Sequence, residues 1–160
     1  MSKVLVAYFS ATNVTAKVAS ELAKAEGADL YEIKAEIPYT AEDLDYTVKD
    51  CRANVEMADD ACRPAITGKV ADMSQYQAVF VGFPIWWGRE PSIVDTFLEA
   101  YDFTGKKIIP FCTSGGSDVH AAAAHIRKVV GSGATVEDGK RVGGAISEKE
   151  LKVWTAGLGI

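Results

Sequence analysis

Cysteine and histidine are scarce in this chain. Cys51, Cys62 and Cys112 are its only cysteines and His120 and His125 its only histidines, in 160 residues. Three scattered thiols exclude a disulfide framework, and two histidines five apart do not share a helix face, so no metal site is expected. That cysteine usage suits a reducing, cytoplasmic setting. Basic excess is missing too: the net charge is −5. A nucleic-acid surface is therefore not expected, while acidity fits solubility or a basic protein partner equally well. No apolar run approaches the roughly 20 residues of a membrane span. The N-terminal run is too short for a signal peptide and is broken at Ser10. Repeats, linkers and low-complexity segments are also lacking, so one domain over residues 1–160 is expected.

Several catalytic signatures are missing as well. No G-x-G-x-x-G follows the first apolar run, which disfavours a Rossmann dehydrogenase, and no G-x-x-x-x-G-K-[ST] occurs anywhere. The cysteine phosphatase pattern C-x5-R would need Arg at position 118, where this chain has Asp118. Without that guanidinium there is no bidentate phosphate clamp, and Cys112 reads as a buried thiol at a strand end.

What is present is a series of short, unbroken apolar runs. Val4–Phe9, Ala78–Phe83 and Lys107–Cys112 have the character of strands buried on both faces. Ala28–Ile33 alternates as a strand nearer an edge, and Ala134–Val136 with Arg141-Val142 suggests a short last strand. Helical patterns lie between them, at Val14–Ala25, Ser92–Tyr101 and Asp118–Val130, with Gly131 to Gly133 ending the last. Thr40–Asp43 resembles a capping box opening a polar surface helix from about Asp43 to Asp59, and 63–66 reads as a connector. Ser147–Glu150 is a second capping box before a terminal helix. This alternation predicts an α/β fold with a mainly parallel sheet covered on both faces. In such sheets ligands sit beyond the carboxyl ends of the strands, where the strand order reverses.

Three unusual loops lie at such ends. Ser10, Thr12, Asn13, Val14 and Thr15 join a buried strand to a helix N-terminus, where free N–H groups, the helix dipole and uncharged hydroxyls suit a phosphate monoester. Ordinary helix capping is the plainer reading of the same residues. Pro84, Ile85, Trp86, Trp87 and Gly88 follow the third strand. Adjacent extended residues point to opposite sides, so one indole is expected to pack inward and the other to offer a flat plate to a planar ring; core or dimer contacts are the alternative. Thr113, Ser114, Gly115, Gly116 and Ser117 follow the fourth strand and permit close backbone approach, or simply form a turn with Ser117 as the cap of the next helix.

YFSATNVT, VGFPIWWGREPSIVDTFLE and FCTSGGS resemble the three ligand loops of the flavodoxin family, especially its short-chain branch, over nearly the whole chain. Flavodoxins are themselves a known example of the rule that places ligands at the strand-order reversal. The resemblance implies a doubly wound sheet of five strands in the order 2-1-3-4-5 with FMN as cofactor. It implies that Ser10, Thr12, Asn13, Val14 and Thr15 hold the phosphate, that Pro84 to Gly88 line one side of the isoalloxazine, and that Thr113 to Ser117 lie along its other edge. The Trp87–Gly88 peptide would turn its carbonyl toward the flavin N5, cheaply because Gly88 lacks a Cβ. The implied function is electron transfer between a reductase and an acceptor protein, with no catalytic residue of its own. An FMN-dependent oxidoreductase of NAD(P)H and quinones on the same fold is the alternative, with the 39–59 segment either covering or opening the space over the ring. A non-redox binding module without flavin is a third reading. Asn13 departs from the family pattern, which has Gly there, and Arg89 is expected to be a solvated surface residue, the alternative being a cation near the flavin that raises its potential.

Overall fold

The computed structural model describes residues 3–114 and 116–160. Its elements follow in the order β1 (Lys3–Tyr8), α1 (Val14–Glu26), β2 (Asp29–Glu32), β3 (Lys34–Ala35), α2 (Arg52–Met57), β4 (Ile66–Thr67), β5 (Tyr76–Pro84), α3 (Ser92–Glu99), β6 (Lys107–Thr113), α4 (His120–Val130), β7 (Thr135–Val136), β8 (Lys140–Arg141) and α5 (Glu148–Thr155). The main sheet is parallel in the order β2-β1-β5-β6-β7, with β8 also paired to β6. Counting β7 and β8 as one interrupted strand, this is the expected 2-1-3-4-5 arrangement.

The apolar runs are unbroken because alternate side chains serve two cores. On one face Leu5, Ala7, Val79, Val81, Phe83 and Ile108 pack with Ile93, Phe97 and Leu98 of α3 and Ile126 of α4. On the other, Val6, Ala78, Phe80, Ile109 and Phe111 pack with Val18 and Leu22 of α1 and Leu151 of α5. Each face is thus closed by helices, as a parallel sheet requires. Gly82 in β5 lies against the Phe111 ring, where an added Cβ would come within 2.2 Å of the ring atoms.

The fifth strand is interrupted opposite Pro110. Glu137 donates its N–H to Ile108 O and Val142 to Cys112 O, but Pro110, midway between them, has no N–H to offer. Gly139 fills the gap at φ +78°, where a Cβ would lie 2.3 Å from Pro110 O.

The segment between β2 and β5 departs from expectation. No helix runs from Asp43 to Asp59; α2 covers only Arg52–Met57. The Thr40–Asp43 box does form, with Thr40 N donating to Asp43 Oδ2 at 3.0 Å and Asp43 N to Thr40 Oγ1 at 3.2 Å. The helix is not continued because Asp45 Oδ1 takes the N–H and hydroxyl of Thr47, a local turn that competes with helical bonding. Few apolar residues there could dock a helix in any case. The real cap is Cys51, whose Sγ accepts from Asn54 N. The expected connector at 63–66 contains the start of β4, which pairs antiparallel with β3 in a small second sheet. At the C-terminal end Ser147 caps α5 as expected, accepting from Glu150 N at 3.2 Å.

Candidate functional site

The first loop leaves β1 and enters α1 through Asn13 at φ +68°, ψ −3°. Asn accepts this left-handed conformation more readily than other residues with a Cβ, so the turn forms without the family's glycine. Ser10 Oγ accepts the Ala16 N–H at 3.2 Å, a capping bond that leaves its own O–H able to donate. Thr12, Asn13 and Val14 are exposed, whereas Thr15 is buried with its hydroxyl against Thr113. The backbone N–H groups of residues 11–15 meet no acceptor among the described residues. With the positive end of the α1 dipole they make a cradle that an anion fits.

The second loop is a tight hairpin. Trp86 N donates to Arg89 O at 2.9 Å and Arg89 N to Trp86 O at 3.2 Å. The two residues between them have φ of +53° at Trp87 and +80° at Gly88, the signature of a type I′ turn. Gly88 takes this without cost; a bulky residue such as Trp87 does not, and backbone strain is held there. The indoles divide as expected. Trp86 is half-buried, edge-on to Phe9 at 5.6 Å and to Tyr39 at 5.4 Å. Trp87 is 62% exposed.

In the third loop Ser114 Oγ donates to Ser117 O and accepts from Arg141 Nε. Gly116 and Ser117 are exposed, and Gly115 lies outside the described residues. The loop is joined to the second by Ile85 N donating to Thr113 O at 3.3 Å.

A cavity of about 310 Å³ lies beside the hairpin, lined by Ala11, Thr12, Pro84, Ile85, Trp86 and Trp87 and, opposite them, by Leu44, Tyr46, Ala53 and Asn54. The first and second loops thus converge on one space. Thr113, Ser114, Gly116 and Ser117 do not line it, and the 39–59 segment supplies its other wall. Nothing in the linear order marked Leu44, Tyr46, Ala53 or Asn54, because turns, not periodicity, bring them there. Asn54 Nδ2 donates to Tyr46 O and Val48 O, fixing the amide's orientation, while Asn54 Oδ1 is buried without a partner among the described residues. Arg52 clamps the same segment. It donates to Ile37 O, pairs with Glu56 at 2.9 Å, and lies 3.8 Å above the Tyr39 ring. Burial and the bond to Glu56 push the Tyr39 phenol well above its ordinary range, so it stays a neutral donor.

Arg89 is not the solvated surface residue expected. Its guanidinium, 13% exposed, donates to Asp95 Oδ2 at 3.2 Å, to Glu90 O at 3.0 Å and to Glu90 Oε1 at 3.4 Å. Glu90 also bonds His125 Nδ1 of α4. Sequence reasoning missed this group because Asp95 sits on the apolar face of α3 and His125 is remote in the chain. Cys112 is buried at the end of β6 and burial pushes its thiol up to about 11, in keeping with an inert strand-end residue.

Among the described residues no helix is long and apolar enough to cross a membrane. The flavodoxin family profile matches residues 3–158. Two solved structures are similar over almost the full length. One, a protein of Bacteroides eggerthii provisionally assigned as a flavoprotein, has 41% identity and a TM-score of 0.94, covering 100% of this chain and 99% of its own. Its counterpart from Bacteroides uniformis has 40% identity and a TM-score of 0.91, covering 97% and 98%. A Lactobacillus acidophilus flavoprotein solved in complex with FMN shares the fold at 23% identity, with a TM-score of 0.72 and coverage of 97% and 99%. A comparison with curated proteins finds no match. The sheet order, the helix-entry loop, the tryptophan hairpin and the family profile agree: the chain belongs to the flavodoxin family.

Proposed function

We propose that the protein binds FMN and serves as an electron carrier between two protein partners, a reductase and an acceptor. The observation that carries this reading is the convergence of an anion cradle and an indole-walled cavity on neighbouring strand ends. When bound, FMN supplies one- and two-electron redox chemistry.

The remaining work belongs to the chain. The N–H groups of residues 11–15, with the hydroxyls of Ser10 and Thr12, hold the phosphate, and Asn13 fixes the turn that presents them. Thr15 contributes its backbone N–H while its side chain ties the first loop to the third. Pro84, Ile85, Trp86 and Trp87 form an apolar wall for the ring, and Leu44 and Tyr46 shield it from water on the opposite side. Gly88, with nothing within 4 Å of an added Cβ, leaves the hairpin peptide room to turn. On the next strand Thr113 pairs with Pro84, and the loop of Ser114, Gly116 and Ser117 that follows stands outside the cavity.

The cavity volume of about 310 Å³ is at the small end of ligand pockets, about 300–1,000 Å³. Its lining by Trp86, Trp87, Leu44 and Tyr46 suits a planar ring.

The test is an absorption spectrum of the purified protein before and after adding FMN and removing the excess. Persistent flavin bands of altered shape are expected. Photoreduction with no oxidation of added NADPH supports the carrier; rapid NADPH oxidation with a quinone moves the reading to the enzyme. A protein that retains no FMN is a binding module for another ligand.

A further inference from the structure

Beneath the tryptophan hairpin lies a closed group of charges that flavin binding does not account for. Glu90 and Asp95 are fully buried and His125 is 15% exposed at its side chain. One donor atom from each lies within 4.8 Å of the others. Glu90 Oε1 meets His125 Nδ1, and Asp95 Oδ1 stands 3.7 Å from the same nitrogen. Glu90 Oε2 and Asp95 Oδ1 have no hydrogen-bond partner among the described residues. Four parts of the chain face this group. The hairpin supplies Arg89, at 3.2 Å from Asp95 Oδ2 and 3.4 Å from Glu90 Oε1. The turn after α2 supplies Asp60, 3.4 Å from both His125 Nε2 and Arg89, and Arg63, 4.0 Å from Asp95 and paired also with Glu99. α3 adds the Ser92 hydroxyl, 3.4 Å from Arg89, and α4 adds His125 itself.

The Glu90, Asp95 and Asp60 carboxyls thus face the Arg89 guanidinium, while Arg63, at 4.0 Å from Asp95, is engaged chiefly by Glu99 at 2.9 Å. A buried carboxyl pair resists double ionisation. Burial first, then the Asp95 charge, pushes the Glu90 carboxyl up to about 9.

We propose that Glu90, Asp95 and His125 are positioning residues that share one proton, and that this protonated clasp holds the Trp86–Arg89 hairpin in place. In this arrangement Glu90, as the acid, donates to His125 Nδ1, and the Nε2–H of the ring faces Asp60. Arg89 closes the hairpin through its backbone and grips the clasp through its side chain, so the two are mechanically one unit. Loss of the proton leaves two buried carboxylates side by side, and their repulsion loosens the hairpin that carries Trp87. If the hairpin walls the flavin ring, as proposed above, FMN release becomes faster with rising pH; the hairpin movement itself does not depend on that reading.

The test uses the flavin-free protein in a Trp154→Phe background, so that fluorescence reports Trp86 and Trp87. A single transition on the alkaline side of neutrality is expected. Glu90→Gln should abolish it, since the amide imitates the protonated acid, while thermal stability at pH 7 stays within a few degrees. Asp95→Asn should remove or displace the same transition, which covers the case that Glu90→Gln fails to fold. With FMN loaded, the dissociation rate should rise at least severalfold across the transition and stay flat in Glu90→Gln. Fluorescence that is flat from pH 6 to 10, or a transition that survives in Glu90→Gln, overturns the proposal. A fluorescence transition without FMN binding upholds the clasp and removes the FMN reading.

Discussion

Thr15 Oγ1 and Thr113 Oγ1 lie 2.7 Å apart in the protein interior, 98 residues apart in sequence. One hydroxyl donates and the other accepts, so the start of α1 and the end of β6 are fastened beneath the cradle. Removing one partner leaves a buried hydroxyl unpaired, whereas removing both leaves none. Thr15→Val and Thr113→Val should each lower unfolding stability by about 1–3 kcal/mol. The double variant should lose less than the sum, as denaturant titration of the four proteins will show.

Asn13 holds a left-handed turn at φ +68°. Asn13→Gly should leave stability and FMN affinity equal or higher. Asn13→Val puts a β-branched side chain into a conformation costing about 1–2 kcal/mol, and affinity for FMN should fall with it. Isothermal titration with FMN measures both.

Trp87 combines a strained backbone with an exposed indole, and a single replacement separates the two. Trp87→Gly removes the strain and should hold or raise the melting temperature. It also removes the aromatic plate, worth about 1 kcal/mol, or roughly fivefold in FMN affinity. A melting temperature that falls in parallel with affinity would show that the indole serves the fold instead.

Glu90 gives stability a definite pH dependence. Burial, then the neighbouring Asp95 charge, pushes its carboxyl up to about 9 in the folded chain against 4.5 as the ordinary value. A group raised on folding stabilises fully below its unfolded value and loses that contribution as pH climbs through the folded one. Unfolding free energy should therefore decline from about pH 5 to pH 9, and Glu90→Gln should flatten the decline. Urea titrations at four pH values suffice.

Much of the fold was legible because a doubly covered parallel sheet writes itself as short apolar runs: Val4–Phe9, Ala78–Phe83 and Lys107–Cys112 each became a strand. The division of the tryptophan pair was legible but its cause was not: Trp87 is not extended but turned outward at φ +53° in the hairpin. The 39–59 segment was not legible. Its Thr40 box is real, but Asp45 and Asn54 spend their side chains on nearby backbone groups, an outcome that depends on the turn already being formed. The clasp was illegible for another reason. Glu90, Asp95 and His125 become neighbours only when α3 and α4 pack side by side, and each alone resembles an ordinary surface residue.

The interruption opposite Pro110 has a bearing on solubility. A sheet margin invites another chain to add a strand wherever several consecutive backbone groups stand unpaired in line. Here the margin consists of two two-residue steps, Thr135–Val136 and Lys140–Arg141, with Glu137, Asp138 and the kinked Gly139 between them. The opposite margin is the four-residue β2, which carries Asp29 and Glu32. A second copy arriving at either side meets a ledge too short or too charged to extend, so the parallel core can be long and apolar without offering a template for aggregation.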